Sequence, residues 1–372
     1  MRILSTVLLW MLGGVAIATA LAFAAPFGWP FELFSHFRVQ YLAIALALAV
    51  LLAWRRRAVP AVLALVIAAW HALPSVAPSY AAAQVADCTG PAFNVATVNV
   101  HYSNTRPAAF RTWLATLPAD LLVIQEVTPQ WVAMLEAQSA YPYRHTLARE
   151  DAYGLAVLSR WPLESVTPVD LAGDGLPSLA GVVDAGGQRI RFLGLHTHWP
   201  MTPGLAAARD QALQGAAQLA SAADLPMVLL GDLNLTPDSP AFDRLLEEAG
   251  LQDVMRGRGW HPTWLAGFWP LALRIDHILV SPGLCVEHAE VGPPIGSDHR
   301  PVVARLRGIW VSGLQDRQDY RRLQSCRSCK PDTFLLGGEG LAGGRRELAA
   351  ALEQPGAEAH HLRQREVLRR SE

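Results

Sequence analysis

The stretch Met227-Val-Leu-Leu-Gly-Asp-Leu-Asn-Leu-Thr-Pro-Asp238 decides the reading of this chain. Residues 227–230 form a short, uninterrupted apolar run, the pattern of a strand buried on both faces. Gly231 breaks the run, and Asp232 and Asn234 follow. In an extended backbone, residues two apart point the same way, so the carboxylate and the carboxamide are expected to project together from the strand's end. Thr236, Pro237 and Asp238 then turn the chain toward a helix over residues 241–249. Polar side chains at the mouth of an apolar strand are costly unless something binds there or they are satisfied locally. A strand-ending Asx turn is the plain alternative.

Working outward, the pattern predicts strands over 94–100, 121–124, 153–159, 181–183, 191–195, 274–280 and 302–306. Helices are predicted over 107–117, 129–138 and 203–223, the second with Thr128 as cap and Pro129 at its first position. Strands mixed with helices, without strict βαβ alternation, indicate a layered α/β domain with mixed sheets. Residues 93–306 are ample for one hydrophobic core.

Polar clusters fall at the ends of these strands: Asn99; Glu126; His196 with His198; Asp232 with Asn234; and Asp276 followed by Ser297-Asp298-His299. Each alone has an ordinary structural explanation as a turn, a cap or a satisfied core histidine. Together they read as a hard-cation site with acid–base partners. Mg²⁺ takes oxygen ligands and is usually held by one or two carboxylates plus substrate phosphate, and Glu126 and Asp298 supply such oxygens. In-line attack on phosphorus needs one group to orient water, one to stabilise charge and one to protonate the leaving oxygen.

The ordered set Thr-Val-Asn99, Gln-Glu126, Tyr153-Gly-Leu-Ala-Val-Leu-Ser-Arg160, Leu-His196-Thr, Gly-Asp232-Leu-Asn234, Arg-Ile-Asp276-His and Ser-Asp298-His299 resembles the endonuclease/exonuclease/phosphatase superfamily over roughly residues 93–306. The resemblance implies a four-layered α/β sandwich, with two mixed β-sheets flanked by helices, and Mg²⁺- or Mn²⁺-dependent phosphoester hydrolysis of phosphodiesterase or endonuclease type. Carried onto this sequence, it makes Glu126 the principal metal ligand, Asp298 a second metal contact, and Asn99 either a metal contact or the residue that orients Glu126. Asp232 positions or deprotonates the attacking water, and Asn234 holds the phosphate or that water. His299, braced by Asp276, acts as base or charge stabiliser. His196 is a general acid or phosphate ligand, with His198 as its alternative, and Tyr153 touches the phosphate. His277 points to the opposite strand face and reads as structural. Arg209 is either a surface residue or a phosphate partner.

Composition separates the chain into parts. Hydrophobic residues make up 51% and charged residues 17%, against the roughly 25% charged of an ordinary soluble protein. The apolar excess is N-terminal. Residues 1–77 hold three apolar runs, at about 4–25, 37–54 and 58–77, each long enough to be read as a transmembrane helix. A signal peptide is the alternative for the first run. Arg38 at the edge of the second is expected to snorkel. Arg2 and Arg55-Arg56-Arg57 are expected to stay cytoplasmic. Three spans then make a multi-pass anchor in a bacterial inner membrane and place the domain in the periplasm or outside the cell. If only one of the later runs spans, the domain faces the cytoplasm.

Residues 88–306 carry fourteen arginines, no lysine and twenty-one acids, a net charge of −7. A dedicated duplex-DNA enzyme shows a basic footprint, and none is visible. The expected partners are therefore a phosphodiester substrate, in a nucleic acid or a phospholipid headgroup, and a lipid bilayer through the N-terminal helices; no protein partner is indicated. Trp260, Trp264 and Trp269 belong either to the core or to a lipid-dipping loop. Residues 78–92 read as a Pro- and Ala-rich tether, and 307–372 as a disordered tail containing Cys326 and Cys329, a disulfide or idle thiols. A catalytically inactive, membrane-tethered binding or scaffold module is the alternative function.

Overall fold

Val95, Val123 and Val157 from one β-sheet are buried against Phe192, Val228 and Ile278 from another. The computed structural model describes residues 2–76 and 90–308, apart from 106 and 118. The first sheet has the order β11 (Leu284–Val291), β12 (Val302–Gly308), β1 (Ala92–Asn99), β2 (Leu121–Gln125), β4 (Leu155–Ser159), β3 (Tyr143–Leu147). The second has the order β5 (Leu163–Asp170), β6 (Pro177–Ala185), β7 (Gln188–His196), β8 (Met227–Asp232), β10 (Asp276–Val280), β9 (Gln252–Asp253). Each sheet contains one parallel pair, β1 with β2 and β7 with β8. All other pairings are antiparallel.

Strands β2, β4, β8 and β10 are buried along their whole length, which is why they read as apolar runs rather than alternations. The outer face of the first sheet is covered by α4 (Ala108–Thr116) and α5 (Pro129–Glu136), through Phe110, Trp113, Trp131 and Leu135. The outer face of the second is covered by α6 (Pro203–Ser221) and α7 (Pro240–Ala249), through Leu213, Ala216, Phe242 and Leu245. The mixed sheets flanked by helices match the expected architecture. Ser239 caps α7 by accepting from the Ala241 amide at 3.1 Å. Thr128 stands at the N-cap of α5, but its side chain makes no cap hydrogen bond there.

Two glycines are dictated by close approach. Gly231 has φ 154°, and a Cβ there would lie 1.8 Å from the Leu195 carbonyl oxygen on the parallel partner strand. At Gly154 a Cβ would lie 1.9 Å from the Val127 carbonyl oxygen. No side chain fits either position.

Strands β3, β5, β9 and β11 have no counterpart among the sequence expectations, and all four lie at sheet edges. The 181–183 segment extends to the full β6, and the 153–159 segment starts at Leu155, leaving Tyr153 in the preceding turn. The expected tether is described only from residue 90 and the expected tail only to residue 308. Cys88, Cys326 and Cys329 lie outside the described residues.

The N-terminal part is helical: α1 (Arg2–Phe23), α2 (Arg38–Trp54) and α3 (Ala58–Val76), with 3₁₀ turns at Ala25–Phe27 and Phe31–Phe37 between the first two. Two segments, Ile3–Phe23 and Phe31–Trp54, are long and apolar enough to cross a membrane by length and composition; the third apolar stretch, Ala58–Pro74, is shorter. The helices pack through Leu12, Ala45, Leu48, Ala49, Ala64 and Ala68, where small side chains let the backbones approach. At one end, Arg55 Nε donates to Ser5 Oγ at 3.4 Å.

At the other end the helices join the sandwich in one compact unit through a polar seam. Glu32 accepts from Arg209 Nη2 on α6 and from Ser239 Oγ at the start of α7. His36 Nδ1 meets Thr236 Oγ1 at 2.9 Å. Arg38 Nη1 donates to Asp238 Oδ1 at 2.7 Å, and Gln40 Nε2 to the Ala272 carbonyl at 2.8 Å. In place of the expected snorkelling, Arg38 pairs with Asp238. Arg209 is neither a surface residue nor a phosphate partner: its side chain is fully buried against Glu32 and Asp210. Arg209→Met leaves the Glu32 carboxylate buried without its cation and is expected to cost about 3–5 kcal/mol. Urea unfolding of the detergent-solubilised chain measures this; an unshifted midpoint would show that the seam does not stabilise the fold.

Candidate active site

Parallel neighbours end on the same edge of a sheet, and antiparallel neighbours begin there. The C-terminal ends of β1, β2, β7 and β8 thus meet the N-terminal ends of β10 and β12. In register, His196 pairs with Asp232, Asp232 with Asp276, and Asn99 with Gln125. This topology carries residues scattered over two hundred positions to one rim of the sandwich.

Asp232 lies at the centre. Its Oδ2 accepts from Asn99 Nδ2 at 3.1 Å and faces His196 Nε2 at 3.5 Å and His299 Nε2 at 3.8 Å. Its Oδ1 accepts from the Asn234 amide at 2.9 Å. The Asx turn is therefore present. β8 ends at Asp232, Asn234 takes φ 49°, and its Nδ2 donates to the Thr197 carbonyl at 2.8 Å. The expectation that Asp232 and Asn234 project together from an extended strand is corrected accordingly: the backbone has already turned. Asn234 remains part-exposed beside the cluster.

Glu126 also has a left-handed backbone, φ 63°. Its Oε1 accepts from Asn99 Nδ2 at 2.7 Å and its Oε2 from the Tyr102 amide at 2.7 Å. Since carboxylates only accept, both Asn99 amide hydrogens are committed to Glu126 and Asp232, while Asn99 Oδ1 accepts from the His101 amide at 2.9 Å. These are the bonds of a residue that holds two carboxylates in place. Non-glycine residues in left-handed conformations cost about 1–3 kcal/mol each and cluster at functional sites; here two of them flank the site.

His299 Nδ1 bonds Asp276 Oδ2 at 2.8 Å, leaving Nε2 aimed at Asp232. Thr263 Oγ1 accepts the Asp276 amide at 3.2 Å and holds this strand start. Burial alone would depress the His299 imidazole. The Asp276 charge and hydrogen bond, with Asp232 and Asp298 behind them, outweigh it and raise the pKa to about 10. Burial, and then the charge of Asp276, push Asp232 up to about 7. Burial lowers His196 despite the nearby Glu126. At neutral pH the site thus holds a charged His299 and a neutral His196.

Around this buried floor stands a part-exposed rim. Tyr153 Oη bonds His198 Nδ1 at 2.9 Å, and His198 Nε2 bonds Asp174 Oδ2 at 2.8 Å. The Tyr153 ring packs 5.5 Å from that of His196. His198 belongs to this outer relay rather than to the floor, because β7 stops at His196. Asp298 is exposed, and its Oδ2 accepts from Trp264 Nε1 at 3.1 Å. His277 is fully buried on the far face, bonding the Leu235 carbonyl at 2.9 Å, as its strand position predicts. The structure brings Asn99, Glu126, His196, Asp232, Asp276 and His299 together and sets Tyr153, Asn234 and Asp298 around them. Asp174 was not anticipated, and Trp264 was singled out only as a core or lipid-dipping residue, not as a partner of Asp298. Both sit on loops with no motif around them, so spacing gave no signal.

The donor set suits a divalent cation. Glu126, Asp232 and Asp276 place three carboxylates in one buried site against one imidazolium, and buried Asp276 Oδ1 has no hydrogen-bond partner among the described residues. Oxygen-rich, net-negative sites of this kind favour hard cations. Ligand atoms of Asp232, Asp276 and His299 lie within 4.8 Å of one another. That trio could hold a metal ion if binding displaced a proton from His299, since a ligating imidazole must be neutral.

Residues 96–299, more than half of the chain, match the Endonuclease/Exonuclease/phosphatase family. The chain belongs to that family, whose members are hydrolases of phosphoester bonds. No curated protein sequence matches it. Among solved structures, it is similar to D. rerio TDP2 complexed with a single-strand DNA product, at 17% identity over 58% of this chain and 99% of that one, TM-score 0.49. It is also similar to an endonuclease/exonuclease/phosphatase from Beutenbergia cavernae, at 21% identity over 58% and 72% of the two chains, TM-score 0.49. A third is the 3'-5' exonuclease NExo from Neisseria meningitidis, at 23% identity over 59% and 100%, TM-score 0.47. Likeness at this level assigns no substrate.

Asp276→Asn keeps the shape of the His299 partner and removes its charge. The pH at which His299 loses its proton is expected to fall, as read from ¹⁵N shifts of the labelled imidazole in metal-free protein. An unchanged titration would mean that Asp276 does not set the charge of His299.

Proposed function

We propose that this protein is a membrane-anchored, divalent-metal-dependent phosphoesterase that cleaves a phosphodiester by in-line attack of water. The observation that carries the reading is the convergence of Asn99, His196 and His299 on Asp232 Oδ2, with Glu126 held beside it. Asp232, with a pKa near neutrality, accepts the proton of the attacking water, the range in which a general base works best. His299, fixed and charged through Asp276, stabilises charge on the phosphoryl oxygens and returns a proton to the leaving oxygen. His196, neutral by burial, is a phosphate ligand through Nε2, and Tyr153 and Asn234 contact the phosphate from the rim. Glu126 and Asp298 would hold Mg²⁺ or Mn²⁺, with Asn99 orienting Glu126. The ion supplies Lewis-acid polarisation of the phosphoryl group.

We assign three N-terminal spans and an outward-facing domain. Arg2 and Arg55–Arg57 lie at the helix ends away from the polar seam, and arginines favour the cytoplasmic side. Cys285 on β11 is disulfide-bonded, which suits an oxidising compartment such as the periplasm or cell exterior.

The full chain in detergent is expected to hydrolyse bis(p-nitrophenyl) phosphate with Mg²⁺ or Mn²⁺ and to stop on EDTA addition. Asp232→Asn is expected to lower kcat by about 10²- to 10⁴-fold, and Glu126→Gln to raise the metal concentration needed for half-maximal rate. Equal rates for wild type and Asp232→Asn would reject catalysis at this site and favour an inactive binding module.

A further inference from the structure

Five large apolar side chains stand exposed beside the cluster: Trp199, Met201, Phe268, Trp269 and Leu271. Trp199 and Phe268 are each 55% exposed. Soluble domains rarely leave such a patch uncovered. Its position says what covers it. The carbonyl of Pro200, between Trp199 and Met201, accepts from Trp29 Nε1 at 3.2 Å. The carbonyl of Ala272, next to Leu271, accepts from Gln40 Nε2 at 2.8 Å. Trp29 lies in the connection between the two apolar segments that meet the length for a membrane span, and Gln40 lies in the first turn of α2 within the second of them. Both rim loops are therefore pinned at the level where the apolar helices end, and Phe23 and Phe27 on that side are also exposed. Aromatic side chains of this kind collect at the membrane–water interface.

The same rim reaches the chemistry. Trp199 meets Trp264 edge-on at 6.3 Å between ring centroids, and Trp264 Nε1 donates to Asp298 Oδ2. Trp264 also bridges to His299 in the backbone.

We infer that Trp199, Met201, Phe268, Trp269 and Leu271 rest in the outer surface of the bilayer that holds the helices, so that the catalytic mouth opens onto lipid. Its phosphodiester then arrives laterally, as a phospholipid headgroup. This substrate assignment rests on the phosphoesterase reading above; the bilayer contact does not. Charge favours lipid over nucleic acid, since a lysine-free segment of net charge −7 repels a long polyanion. The same charge favours zwitterionic over anionic headgroups. In the reaction a P–O bond forms to water and a P–O ester bond breaks. The water proton passes to Asp232, the leaving alkoxide takes a proton from His299, and the products are a phosphomonoester and an alcohol.

The test uses the full chain reconstituted in vesicles of phosphatidylethanolamine and phosphatidylcholine, beside vesicles of phosphatidylglycerol, with the variant Phe268→Ser/Trp269→Ser. Expected are hydrolysis of the zwitterionic lipids and a drop in that rate of about tenfold or more in the variant, the order expected on losing two buried aromatics. Hydrolysis of soluble bis(p-nitrophenyl) phosphate is expected to stay within about twofold, since neither residue belongs to the cluster. Quenching of tryptophan fluorescence by lipids brominated along the acyl chain is expected to be smaller in the variant. Equal quenching in variant and wild type overturns the bilayer contact, whether or not the protein is active. Faster cleavage of a single-stranded oligonucleotide than of vesicle lipid overturns the lipid substrate. Loss of activity on every substrate, the soluble diester included, counts against the phosphoesterase reading, and the quenching result still decides the rim.

Discussion

Two carboxylates that repel one another, Asp232 and Asp276, are buried side by side on paired strands with a single imidazolium, His299, between them. In a low-dielectric interior that arrangement is unfavourable unless the partners are held rigidly and the remaining charge finds a counter-ion. Much of the surrounding structure supplies the rigidity. Thr263 takes the Ile275 and Asp276 amides, Asn99 donates to two carboxylates at once, and Ser297 Oγ donates to the Asn99 carbonyl, tying the His299 loop to β1. The result is a preorganised field rather than a flexible collection of ionisable groups. Electrostatic preorganisation of this kind is where hydrolytic sites draw most of their rate.

The sandwich was legible in the sequence where burial is two-sided. Strands β2, β8 and β10 show as apolar runs because both faces are covered, by the other sheet and by helices. The edge strands were not legible. β5 alternates between part-buried and exposed positions and contains Pro168, while β3 is nowhere fully buried. Such segments owe their conformation to the neighbour they pair with, so local composition carries little trace of it. The same contrast applies to the site. Asp232 and Asp276 sit at the ends of strong strands, so their positions followed from strand register, and His299 lies in the loop three residues before β12. Asp174 reaches His198 from a turn after β5, an element the pattern does not reveal.

The N-terminal seam shows another limit. Glu32 and Arg209 are separated by 177 positions, and nothing in either neighbourhood announces the other. Glu32 reads as an isolated acid between apolar runs, and Arg209 as one cation on an Ala-rich helix. Only the tertiary arrangement explains why both are kept from water: each is the other's counter-charge, and Ser239, the cap of α7, completes the carboxylate's bonding. Burying such a pair is weak as a source of stability, but it is demanding as to geometry. It thereby fixes the orientation of the sandwich on its helices.

That orientation bears directly on the Asp232–Asn234 loop. The seam lands on Thr236, Asp238 and Ser239, immediately after the left-handed turn at Asn234. A strained turn persists only when its surroundings over-determine it. Here the upstream side is fixed by Gly231 pressed against Leu195, and the downstream side by three polar contacts, from Glu32 and His36 in the segment joining α1 and α2 and from Arg38 at the start of α2. The apolar helices are thus more than a leash. Removing them would free one side of the Asp232–Asn234 turn, expose Arg209 without its carboxylate, and detach the aromatic loops at residues 199–201 and 268–272 from their anchor points. The bonds that hold the Asp232–Asn234 turn on its downstream side are thus the same ones that seat the N-terminal helices on the sandwich.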